Sequence, residues 1–552
     1  MSSEFGVLAP REASYGVRSF MPSYLKDWRR LSLKEKIAQM IVVRASGYLH
    51  DHQIRYPVWE ANNAKLSKWL AEFNLGGVIL LGGSSIELQA RSQQLQSWAK
   101  TPLLIAADVE EGIGQRFPGG TWFPPPMALS EIYQQNPDLA RQYAYQMGMV
   151  TAEEAWTVGI NWLLAPVVDV NNNPDNPVIN IRAFGDRPEV VGALTTAFIR
   201  GARSMAILTT AKHFPGHGDT ATDSHLDLPA IPHVDSRLSA IELPPFEQAI
   251  TAGVDSVMTA HLLIPVWDQH QPATLSKEIV TGKLRKQLGF KGLVVTDALI
   301  MGGITKFATP EEVSVMAIEA GSDILLMPDD PEVAISSIDN AVQSGRITEQ
   351  RINQSLSRIW QAKNRVFSAQ TEASELFNHQ AQQTVKSILG DSLQKSEVSL
   401  IPNSDQDCRN LIVVDDVLNT PYLDINSPAI TIPQRFNYQR QLLDSDTLDC
   451  ILLDSRPTLL QVFIRGNPFR GNAGLTTKAK QIYRRFISSG QAVGIVIYGS
   501  PYVMEWFNSI IESDLPWVFS YGQMNQAQAI ALEALFSQKS IVLGSKSHNF
   551  GF

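Results

Sequence analysis

Cysteine is nearly absent: the 552-residue chain holds two, Cys408 and Cys450, both in its last third. Two cysteines build neither a disulfide framework nor a thiolate metal site, and both read as small apolar fillers. Positive charge is scarce as well. With 46 Lys and Arg against 55 Asp and Glu and a net charge of -9, the chain is unsuited to a polyanion such as nucleic acid. No stretch holds about 18 consecutive apolar residues, so no membrane-spanning helix is expected. The opening MSSEFGVLAPREASYG shows no basic region followed by an apolar run, and the expected compartment is the cytoplasm. Repeats of fixed period and low-complexity tracts are also missing, which argues against a solenoid or a linker protein.

What is present is length and alternation. A chain of this size exceeds one core and suits a large domain plus a smaller one. From about residue 36 to 365, short apolar runs alternate with amphipathic helical patterns, as in βα units. Eight runs read as strands buried on both faces, at 37–44, 77–81, 103–108, 162–169, 207–212, 256–261, 292–297 and 323–327. Between them, Leu66, Leu70 and Phe73, or Val191, Leu194 and Phe198, recur at helical spacing and face the core. The expected fold class is α/β, a (β/α)8 TIM-like barrel over residues 1–366. A polar linker with a helix follows at 367–396, and then a smaller α/β sandwich over 397–552. Its expected strands are 411–417, 450–454, 459–465, 493–498 and 516–520, with a last helix at 527–536.

All strands of such a barrel deliver their C-terminal ends to one rim, where substrate binds. Ionisable residues gather at those ends here: Asp108, Asp169 with Arg182 beyond it, Lys212 and His213, His261, and Asp297. Taken singly, a charge at a strand end is more often a solvated or ion-paired loop residue; the cluster is what points to chemistry. The densest stretch is KHFPGHGDTATDSHLDLP, from Lys212 to Pro229. A metal site on His213 and His217 is one reading, but an HxxxH zinc site needs both histidines on one helical face, and Pro215, Gly216 and Gly218 break a helix there. The other reading is acid/base catalysis, in which Asp223 fixes the tautomer of His225 and stabilises its protonated form.

These stretches, with DVEEGIGQRF, APVVDVNNNPDNPVINIRAFG, VMTAH and VVTDAL, resemble the bacterial β-N-acetylglucosaminidases of glycoside hydrolase family three. The resemblance runs from about residue 30 to 365 and more weakly through ILGDSLQKSEVSLIPNS and WVFSYGQ. It implies that Asp297 is a nucleophile, that Asp223 and His225 form the acid/base dyad, and that Asp108, Arg116, Arg182, Lys212 and His213 hold the terminal sugar. His217 and His261 rank as loop-shaping residues. The resemblance further implies a retaining exo-acting hydrolase that needs no cofactor or metal. As substrate the resemblance implies a small carbohydrate, an N-acetylglucosaminide such as a muropeptide fragment in peptidoglycan recycling.

Alternatives within the class are phosphorolysis, since a neutral imidazole base repels phosphate less than a carboxylate does, and a β-glucosidase. The latter resembles this chain less: it lacks the DSH loop and uses a glutamate from the second domain, whereas Glu505, Glu512 and Glu533 fall in helical patterns that read as solvated faces. A catalytically silent sugar-binding barrel is the alternative of another class; Asp297, Asp223 and His225, the residues it would most readily lose, are all present. One departure from the family pattern stands out. The third-strand loop reads EEGIGQRF where the family has EGGRVQRF, so Glu111 and Ile113 replace a glycine and an arginine.

Overall fold

The computed structural model describes residues 25, 27–221, 224, 227–368, 375–402, 407–416, 420–444, 447–448, 451, 455–465 and 474–536. Its first half is a closed ring of parallel strands: β1 (Ile41–Ser46), β2 (Gly77–Leu81), β3 (Leu104–Ala107), β4 (Trp162–Leu163), β5 (Thr210–Phe214), β6 (Ser256–Thr259), β7 (Leu293–Thr296) and β8 (Leu325–Leu326). Ladders run β4-β3-β2-β1-β8 and β5-β6-β7. Single bridges, Trp162↔Leu208 and Val167↔Lys212 on one side and Val295↔Ile324 on the other, close the ring. The barrel is filled rather than hollow. Trp162 is fully buried within it, and its indole N–H donates to the hydroxyls of Thr210 at 2.9 Å and Ser256 at 3.0 Å, as a buried tryptophan requires.

The expected strand 37–44 begins later than its apolar run. Ser32 caps a helix over Leu33–Ala38, with Glu35 completing a capping box. Ile37, Ala38, Met40 and Ile41 are all buried, so helix and strand merge into one run that periodicity cannot divide. The expected strand 162–169 is cut to two residues because Pro166 has no N–H for the ladder. Pairing resumes where the Val168 N–H donates to the Lys212 carbonyl at 2.8 Å.

At the N-terminal end of the ring, Asp255 and Asp323 precede β6 and β8 and are neutralised from the helix Glu349–Phe367. Arg365 meets Asp255 at 2.8 Å, Arg358 meets Asp323 at 2.8 Å, and Arg351 stands at 3.7 Å from Asp323. These arginines recur every seven residues, on one face of the helix. Between them the buried Lys363 ammonium donates to Gln39 Oε1 at 2.7 Å.

The second unit is a six-stranded sheet in the order β11-β10-β12-β13-β14-β9, formed by β9 (Gln394–Lys395), β10 (Cys408–Val414), β11 (Tyr438–Asp444), β12 (Thr458–Ile464), β13 (Ala492–Gly499) and β14 (Trp517–Ser520). All pairs are parallel except β14 with β9. Lys395 and Gln394 of the expected linker thus belong to this sheet. The connecting helix His379–Asp391 touches both units: Tyr143 donates to Asp391 at 2.8 Å, and Gln382 Oε1 accepts from Gln526 at 3.0 Å. The expected strand 450–454 lies almost wholly outside the described residues. Cys408 is buried and Glu505, Glu512 and Glu533 are exposed, but Glu512 stands in a loop rather than in a helix.

Candidate active site

Five of the rim residues enter two buried networks. Lys212, the third residue of β5, places its ammonium 2.7 Å from Asp108 Oδ1 and 2.6 Å from Glu110 Oε1. Glu110 also receives a fork from Arg182, with Nε to Oε2 and Nη2 to Oε1 both at 2.8 Å. Arg182 is held in turn by donating from Nη1 to the Val178 carbonyl at 2.9 Å. Lys212 and Glu110 side chains are each 2% exposed whereas Asp108 is 30% exposed, so Asp108 is the face of the network open to a ligand.

Burial raises the Glu110 carboxyl, but Arg182 and Lys212 outweigh it and hold that carboxyl well below its ordinary value. Burial likewise lowers Lys212, and Asp108 with Glu110 raises it above the usual lysine value. Both groups are charged at neutral pH. Alternating fixed donors and acceptors of this kind suit the vicinal hydroxyls of a sugar, each of which gives and takes one hydrogen bond.

The second network centres on Asp169, which is fully buried. It accepts the His213 Nδ1 contact at 2.8 Å, and also the backbone N–H of His213 at 3.1 Å and of His217 at 2.8 Å. Burial raises its carboxyl; His213 and His217 bring it below its ordinary value. An ionised carboxylate on Nδ1 fixes that nitrogen as the protonated one and orients the ring. His217 is buried too, with Nδ1 at 2.8 Å from Thr220 Oγ1 and Nε2 at 2.9 Å from Ser224 Oγ. Burial and then the neighbouring His213 push its imidazole down to about 4, against the pull of Asp169 and Asp297. The two rings stand edge to face, 6.1 Å apart, and each faces its own partners rather than one shared point.

Asp297 is the first residue beyond β7 and is partly exposed. Its backbone N–H donates to the Thr259 carbonyl at 3.0 Å, and its Oδ1 accepts from the Ala298 N–H at 2.8 Å. His261 is buried, with Nε2 at 3.1 Å from the Ala298 carbonyl and Nδ1 at 2.9 Å from Thr274 Oγ1. Arg116 is exposed and reaches the Asp108 carbonyl at 3.2 Å. Asp223 and His225 lie outside the described residues; Ser224, between them in sequence, is anchored on His217.

Glu110, the hub of the first network, is the residue that reading strand ends overlooks. It sits two positions past Asp108 in a loop, and only the EEG run marked it. The loop also carries Glu111, fully buried, which accepts from the Trp122 indole at 2.9 Å and from Arg465 of the second unit at 2.6 Å.

The Glycosyl hydrolase family 3 N terminal domain matches residues 32–362, and the Bacterial Glycosyl hydrolase family 3 C-terminal domain matches residues 401–537. The chain is 33% identical over 333 residues to Beta-hexosaminidase A of Pseudoalteromonas piscicida, covering 55% of each protein. It is 34% identical over 282 residues to a Beta-hexosaminidase of Alkalilimnicola ehrlichii, covering 50% of this chain and 80% of that one.

Among solved structures, a glycoside hydrolase family 3 beta-N-acetylglucosaminidase from Paenibacillus sp. str. FPU-7 superposes with a TM-score of 0.76 at 27% identity, over 92% of this chain and 96% of the other. A beta-glucoside phosphorylase shares the same two-unit fold, with a TM-score of 0.77 at 22% identity over 92% of this chain and 93% of the other.

Proposed function

The chain belongs to glycosyl hydrolase family 3, and from that premise we propose that it is a retaining exo-β-N-acetylglucosaminidase. The observation that carries this reading is the placement of Asp297 at the rim formed by the ends of the strands, together with the charged network of Asp108, Lys212, Glu110 and Arg182. The names of the relatives favour an acetamido sugar over glucose.

In this reading the Asp297 carboxylate attacks the anomeric carbon as the bond to the leaving oxygen breaks, through an oxocarbenium-like transition state. His225, paired with Asp223, delivers the proton that the leaving oxygen takes up. Water then attacks the same carbon, gives its proton to His225, and expels Asp297. Asp108, Arg116, Lys212, Arg182 and His213 hold the hydroxyls and acetamido group of the terminal sugar, with Glu110 as the hub. His213 presents its second ring nitrogen because Asp169 occupies the first.

The physiological part of the proposal is removal of N-acetylglucosamine from muropeptide fragments in the cytoplasm, as peptidoglycan is recycled. Among the described residues, no helix is long and apolar enough to cross a membrane. The test of mechanism is the anomer that forms first. A β-glycoside should release β-N-acetylglucosamine before mutarotation, as followed by proton NMR. Release of the α anomer would overturn the covalent step.

A further inference from the structure

The third-strand loop lacks the arginine of the family pattern, and a guanidinium reaches that loop from 354 residues downstream. Arg465 follows β12 of the second sheet. Its Nη2 donates to Glu111 Oε1 at 2.6 Å, and its Nη1 stands 3.4 Å from Oε2. Glu111 has no exposed surface, and a carboxylate buried so deeply requires a cation. The same guanidinium lies in the field of Glu110 and Arg182.

A second contact falls on the next loop of the rim. Tyr502 accepts from Asn171 Nδ2 at 2.8 Å and donates to the Asn171 carbonyl at 3.2 Å. Asn171 Oδ1 in turn accepts the Asn180 N–H at 2.8 Å, two residues before Arg182. Arg465 and Tyr502 are themselves fixed to each other by the sheet. The Ile464 carbonyl accepts from the Ser500 N–H at 2.9 Å. It approaches so closely that a Cβ on Gly499, whose φ is +118°, would stand 2.1 Å from it.

We propose that Arg465 and Tyr502 are positioning residues for the terminal-sugar subsite, by which the second domain clamps the two loops that carry Glu110 and Arg182. One contact braces the Glu110 loop, the other the Arg182 loop, and the braced residues are partners in one ion pair. The inference rests on reading that pair as part of the sugar site.

The test uses the full chain, with steady-state kinetics on 4-nitrophenyl β-N-acetylglucosaminide, binding of free N-acetylglucosamine, and amide hydrogen exchange of residues 108–123 and 171–185. R465Q should raise KM about tenfold to a hundredfold, with kcat changed by less than about threefold, because subsite geometry is loosened while Asp297 is untouched. Binding of the free sugar should weaken by the same factor, and exchange should quicken in both loops. Y502F should do the same to a smaller degree. R465K, which keeps the charge without the planar fork, should fall between wild type and R465Q.

Should R465Q fail to fold, E111Q/R465Q leaves no unpaired buried charge and should still show the raised KM. Unchanged KM and unchanged loop exchange in these variants, with only a lowered Tm, would overturn the proposal. A wild-type chain that neither binds nor cleaves the sugar would sink the functional reading instead, and the exchange data would then decide the clamp alone.

Discussion

Glu110 shows what the site asks of a single residue. Its side chain is buried between Arg182 and Lys212 and pairs with both, while Lys212 also pairs with Asp108. E110Q keeps the shape and removes the charge, taking from Arg182 its ion-pair carboxylate and leaving Lys212 with Asp108 alone. Breaking a buried pair costs about 3–5 kcal/mol, so the variant should be measurably less stable. Its KM for an N-acetylglucosaminide should rise about tenfold or more as the hydroxyl-binding geometry loosens.

The pH dependence follows from the sign of the shift. Glu110 is held below its ordinary value when folded, so its stabilising contribution is present above the unfolded value and lost as pH falls through the folded one. The Tm difference between wild type and E110Q should therefore be widest near neutral pH and shrink in acid. A difference independent of pH would remove Glu110 from this role.

At the scale of elements, strands buried on both faces were the most readable part of the sequence. The run at 77–81 coincides with β2, the run at 292–297 exceeds β7 by one residue at each end, and the run at 516–520 exceeds β14 by one residue at its start. Boundaries blurred where a buried helix leads into a buried strand at Ile37 to Ile41, and where Pro166 interrupts β4. β11 was missed because it is an edge strand with a polar sequence, YQRQLLD, in which only Tyr438 and Leu443 are buried and no strict alternation marks a strand.

At the rim, Asp108 and Asp297 were legible because they directly follow β3 and β7, and Lys212 and His213 because they fall in the last three residues of β5. Glu110 and Arg465 were not, since a loop residue and a residue of another domain reach the site only through the fold. The helix Glu349–Phe367 carries a prediction of its own. Burial pushes the Lys363 ammonium down to about 7, while the unfolded chain holds that proton to about pH 10.4. Between those values unfolding takes up a proton, so this lysine makes stability rise with pH across the window. K363M should flatten that slope in thermal melts from pH 7 to 10; an unchanged slope would assign the dependence to another group.

Across the whole molecule, the barrel and the parallel strands of the second sheet present their C-terminal strand ends to each other. β3, β5 and β7 bring Asp108, Lys212 and Asp297 to the barrel rim, and β12 and β13 lead into Arg465 and Tyr502 opposite. Ligands of both barrels and open α/β sheets bind at such ends, so the second domain is placed to act on the site rather than to decorate the surface.

The reaction proposed for this site is cleavage of a terminal acetamido sugar through Asp297. It is tested most directly by release of 4-nitrophenol from the β-N-acetylglucosaminide and the β-glucoside side by side, with and without phosphate, using D297A as the blank. For this reaction, preference for the acetamido sugar, no stimulation by phosphate, and no turnover by a D297A variant that still folds are expected. Preference for the glucoside, appearance of sugar 1-phosphate, or persistent turnover in D297A would contradict it.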